Sequence, residues 1–283
     1  MAKGSNPVFK SASFQDQLRR GNAANAFPTP SPESLDQMYS QPPKPPQTGD
    51  RMGVNDVLNK MLIMIAGLLV GGFVGWQLLA VVARNAALNG GSMTTVWLVV
   101  GAAGIAALVI ALVNQMRREV SPTLSVIYAV VEGFLLGAIS AMFELIYPGI
   151  VIQAVLGTSI IFALCLFLFR SGKFRTTPKM RRVVFAAAWG IVIFSLVNML
   201  ISMVSGGAFN FRTGWIGLVI GVISIAIGAF FLVTDFEDIQ TAMQAGAPKS
   251  FAWRCAFGLT LSLVWIYVEM IRVIAIIRSM VSN

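Results

Sequence analysis

The chain of 283 residues contains no histidine. That excludes histidine-dependent catalytic triads, histidine-ligated zinc or haem, and histidine as a pH sensor. Cysteine is nearly absent too. Cys165 and Cys255 are the only two, with no Cys-x-x-Cys spacing, and they read as buried apolar residues rather than redox or metal groups. Charge is scarce as well: 12% of residues are charged and 56% hydrophobic, where a soluble domain carries about 25% charged residues. Any pH sensing therefore falls to carboxylates.

What the chain has instead is long apolar runs. A helix needs about 20 such residues to cross a bilayer core of about 30 Å, and runs of that length recur from Met61 onward. Seven spans are expected, at 61–83, 93–115, 124–147, 149–169, 183–204, 213–234 and 256–280. Glu269 and Arg272 interrupt the last of them. Pro148-Gly149 leaves room only for a tight hairpin between the third and fourth. The expected organisation is a polar tail over residues 1–55 and an all-α, polytopic membrane domain over 56–283. The tail holds eight of the twelve prolines and too little apolar surface to offset its ordering entropy, so it reads as disordered. No apolar core follows its first basic residues, which argues against a signal peptide. Gly71/Gly75, Gly133/Gly137 and Gly217/Gly221 are spaced for close helix packing.

The formal charge of +9 does not point to nucleic acid, because Lys and Arg sit between the apolar runs. Seven precede the first span, one follows it and two follow the second. None lies in the Pro-Gly hairpin, six lie in "RSGKFRTTPKMRR", one follows span five and two precede the last. Positive residues favour the cytoplasmic side. The alternation gives a cytoplasmic N-terminus and an external C-terminus in a plasma or inner membrane, with "TDFED" at the cytoplasmic mouth.

An acid within a span costs about 2.5–3.5 kcal/mol on insertion scales, and usually faces a partner or a watery path. Glu132, Asp235 and Glu269 are such acids. Bland readings stand beside the functional ones. Arg272 lies one turn beyond Glu269 and can neutralise it. Asp235 can be a solvated interfacial group, and Glu237 and Asp238 ordinary loop charges or an acidic mouth that attracts cations. Arg117 ends the second span at a depth similar to Asp235.

"SVIYAVVEGFLLGAIS", "FLVTDFEDIQ" and "WIYVEMIRVIAIIRSM", in that order, resemble the Bax inhibitor-1/YccA family, the transmembrane BAX inhibitor motif proteins, in its bacterial branch. The resemblance covers about residues 56–280. It implies seven helices with the last surrounded by the other six, and a pH-sensitive calcium leak. It also implies a gate in which an aspartate ending the sixth helix pairs with one in the seventh, near an arginine of the second. The family's Asp-Thr-Gln-Arg-Ile corresponds to "DFEDI", beginning at Asp235. Its Tyr-Leu-Asp corresponds to Tyr267-Val268-Glu269, and the arginine to Arg117. Two departures stand out: the second acid is glutamate, and the interval between the acids is longer than the family's.

The expected function is thus a calcium or other cation leak, with Asp235 and Glu269 sharing a proton, Arg117 biasing them, and Glu132, Glu237 and Asp238 as further pore or mouth residues. Asp235 and Glu269 are also the candidate calcium ligands, calcium being the permeant ion rather than a cofactor. The alternative is a non-channel modulator of a membrane protease or a stress pathway. The expected surroundings are lipid, calcium ions and, in the second reading, a membrane protease. An enzyme is not expected. A rhomboid-type protease needs histidine, "GAFFLVTD" lacks the Gly-x-Gly-Asp of intramembrane aspartyl proteases, and the last span has no lysine to hold retinal.

Overall fold

A computed structural model describes residues 51–89, 94–117, 119–172, 175–204 and 212–281. Within them are seven helices and no named strand: α1 (Val54–Asn89), α2 (Thr94–Met116), α3 (Pro122–Ile146), α4 (Ile150–Ser171), α5 (Pro178–Val204), α6 (Gly214–Gln244) and α7 (Phe251–Val281). Each is long and apolar enough to cross a membrane. The chain is a multi-pass membrane protein.

The helices overrun the apolar runs that announce them, most tellingly at α6. "TDFEDIQTAMQ" continues the helix ten residues past Thr234, so Asp235 lies inside α6 rather than at its end. Phe236 and Ile239 are buried on one side of this extension, and that packing holds the polar turns helical. α7 likewise starts at Phe251.

α7 is the core helix. Half of its most apolar stretch is buried, against 11% for α5 and 17% for α2. It packs on α1, α3, α4 and α6, whereas α2 rests chiefly on α3, and α5 on α6. The ring around the last helix is therefore closely packed by four neighbours and looser at two. α1 and α3 meet most intimately, because Gly71 and Gly75 lie against the backbone of Val130 and Phe134, while Gly133 and Gly137 lie against Leu68 and Gly72. A Cβ at any of the four would overlap the facing main chain. Tyr128 meets Phe257 edge-on at 5.1 Å, and the Tyr267 hydroxyl bonds Ser140 Oγ at 2.7 Å. These contacts fix α3 beside α7 in parallel.

Two connections are closed by side chains. Glu144 accepts hydrogen bonds from Gly149 N (2.6 Å) and Val151 N (3.2 Å), so it satisfies free amides at the start of α4. Asn114, fully buried, accepts from Ser121 N at 2.9 Å and donates to Ser125 Oγ at 3.0 Å, joining the end of α2 to the start of α3.

The tail boundary expected at residue 55 is too late. Arg51 pairs with Pro248 in an antiparallel bridge, Met52 N donates to Ala247 O at 2.8 Å, and Met52 is buried. Lys60 Nζ donates to Lys249 O at 2.8 Å. The expectation for residues 1–50 lies outside the described residues. Deleting residues 1–50 should leave membrane insertion and the melting temperature unchanged. Deleting 1–53 should lower stability by about 2 kcal/mol, the order of magnitude of one buried methionine. Thermal unfolding in detergent distinguishes the two.

Candidate functional site

The register of α6 on α7 decides which acids can meet. Gly228 lies against Ile266 and Gly221 against Val273, an antiparallel pairing that continues to place Asp235 beside Gly258 and Ser262. Ser262 Oγ donates to Asp235 Oδ2 at 2.6 Å, fastening the two helices. Glu269 is seven residues further on, about 10 Å along a helix. The structure does not bring Asp235 and Glu269 together. The reason is the extra length of α6 and the first turns of α7, which set the register that the motif spacing left open.

Glu269 instead holds two arginines. Arg212, just before α6, donates to it at 2.9 and 3.2 Å, and Arg272 donates at 3.0 Å to each oxygen. The side chains of Glu269 and Arg212 are only 6% and 10% exposed. Arg212 also donates to Ser195 Oγ, so a residue at the foot of α6 bridges α5 to α7. The pairing with Arg272 is the one that the helical spacing suggested. In the sequence Arg212 is only a loop charge, and its isolation between two apolar spans is the one available hint.

Arg117 is exposed, and its carbonyl accepts from Arg254 at 3.0 Å. Among the described residues its side chain has no carboxylate partner, so it does not complete a site with Asp235. Arg181, in the first turn of α5, is committed elsewhere. It binds Asp238 at 2.7 Å and Glu237 at 3.0 Å. Thr176 adds a backbone bond to Glu237 at 2.8 Å and a hydroxyl contact. Glu237 and Asp238 thus anchor the basic α4–α5 connection to α6.

Glu132 lies in a cleft of about 370 Å³ between α2 and α5, floored by α3 and α7. Arg212 and Glu269 line its other end. Among the described residues Glu132 has no hydrogen-bond or ion-pair partner. Nor is there, among them, a group of three or more Cys, Asp or Glu that could hold a metal ion. Asp235 and Glu269 form no shared calcium site in this arrangement.

A family model described as Bax inhibitor 1 like matches residues 6–279. The chain belongs to the Bax inhibitor 1 like family. The match begins before residue 56, where the resemblance read from the sequence motifs starts. A search of curated proteins finds no match. In this Bax inhibitor 1 like chain, α6 and α7 are joined by Asp235 and Ser262, and Glu269 is locked by arginines.

Proposed function

We propose that the protein is a slow cation leak, calcium being the ion of interest, in a plasma or inner membrane. Its N-terminus is cytoplasmic, and protonation of its intramembrane carboxylates sets the conduction. The observation that carries this reading is Asp235: a carboxylate inside a membrane helix, held by one serine hydroxyl and by no cation among the described residues. A partly satisfied acid at a helix–helix contact can change its bonding when it takes up a proton, and so bias two packings. The arrangement described here is then the closed one. Arg212 and Arg272 fill the Glu269 end with positive charge, which repels an approaching cation.

A second reading, a modulator of another membrane protein, is favoured by the family match extending into residues 6–50. Calcium influx into proteoliposomes separates the two. A leak raises influx above protein-free vesicles, and a pure modulator leaves it at background.

The orientation is tested separately. In a background with Cys165 and Cys255 replaced by alanine, Ser171→Cys and Ser282→Cys should be labelled by an impermeant thiol reagent from opposite sides. Labelling from the same side contradicts seven crossings.

A further inference from the structure

Glu132, without a hydrogen-bond or ion-pair partner among the described residues, lies in the cleft between α2 and α5. The rim opens sideways: Leu108 of α2 is 51% exposed and Leu196 of α5 is 46% exposed, both at mid-span. The floor is closed, with Tyr128 at 3% and Val264 at 8%. α2 and α5 do not pack on one another appreciably, so the gap between them faces lipid. Its volume of about 370 Å³ falls in the range that takes small organic molecules, roughly 300–1,000 Å³.

The lining selects the class of occupant. Hard divalent cations take about six to eight oxygen ligands, and this wall offers one free carboxylate among leucine, isoleucine, valine and glycine. A poorly hydrated cation with an apolar body suits it better. Tyr128 and Trp265 add aromatic rings near that carboxylate, whose faces attract cations. Trp265 is held in place by its indole N–H donating to Ser224 O at 2.9 Å.

The positive charge in the same cleft is remote from Glu132. Tyr128 beside Phe257 and Ser140 beside Tyr267 put Glu132 level with residues 260–261 of α7. That is about 12 Å along the helix from Glu269, where Arg212 is paired.

We propose that the α2–α5 cleft binds lipophilic organic cations from the bilayer, with Glu132 as the counter-ion and Tyr128 and Trp265 as aromatic walls. Binding is a property of the cleft and does not depend on conduction.

Equilibrium binding of radiolabelled tetraphenylphosphonium to the purified full chain in detergent tests this. The expected result is one saturable site, weakened about tenfold or more by Glu132→Gln, a loss of about 1.4 kcal/mol or more. Leu108→Trp, which fills the rim and keeps the acid, should also abolish binding. If Glu132→Gln does not fold, Leu108→Trp alone decides. Absence of a saturable site in the wild type, or wild-type affinity in either folded variant, overturns the proposal; the latter outcome means apolar partitioning only.

Discussion

Glu269→Gln should cost about 3–5 kcal/mol of stability, because breaking a buried ion pair leaves its partner charged and uncompensated. Here one carboxylate serves two guanidinium groups. Removing it strands Arg212, whose side chain is 10% exposed, and leaves Arg272, at 25%, to relax partly toward the surface. The amide keeps the shape and some hydrogen bonding, so the loss reports the charge. Replacing all three together, Arg212→Met, Glu269→Leu and Arg272→Met, should recover much of the stability, since apolar residues of similar volume often match or exceed a buried ionic cluster. Thermal unfolding in detergent checks both. A Glu269→Gln melt within about 1 kcal/mol of wild type would mean the cluster contributes little to holding α5, α6 and α7 together at that end.

Arg212→Ala separates the Arg212 bridge between α5 and α7 from the fold. Glu269 keeps Arg272, so no charge is stranded and the stability loss should be well below that of Glu269→Gln. What is lost is the bridge from Ser195 on α5 to Glu269 on α7, together with one of the positive charges at that end of the cleft. A hydrogen bond to a charged group contributes about 1.5–3 kcal/mol. If that contact exists only in the closed arrangement, its removal shifts the balance toward open by about tenfold or more. Calcium influx per protein should rise accordingly. Influx unchanged in a folded Arg212→Ala protein would show that this contact is not part of the closure.

The sequence showed the helices because each apolar run is long and the runs are separated by charges or by Pro148-Gly149. It showed Glu269 with Arg272 because both sit on one helix, one turn apart, and a helix fixes that geometry locally. Arg212 with Glu269 was not legible: 57 residues separate them, and nothing local says which lone arginine reaches which acid. The same holds for Arg181 with Glu237 and Asp238. The contact expected between Asp235 and Glu269 depended on register. That register follows from where α6 stops and α7 starts, at Gln244 and Phe251, boundaries set by the packing of Phe236, Ile239 and Ala252 rather than by the apolar run. Of the candidate site, Asp235, Glu132 and Glu269 were marked by their cost in a membrane; Ser262 as the partner of Asp235 and Arg212 as the second partner of Glu269 were not.

The central claim is that a carboxylate within α6 controls a cation leak. Asp235→Asn tests it cleanly, because the amide can still accept the Ser262 hydroxyl and the fold should survive. Calcium influx into proteoliposomes is to be measured for wild type and Asp235→Asn between about pH 6 and 8, a range that carboxylates in apolar surroundings can reach. The account predicts that wild-type influx exceeds protein-free vesicles and changes across this range, by up to about tenfold per pH unit for a one-proton gate, while Asp235→Asn gives a flat profile. Wild-type influx at background, or an Asp235→Asn profile that follows the wild type, contradicts it.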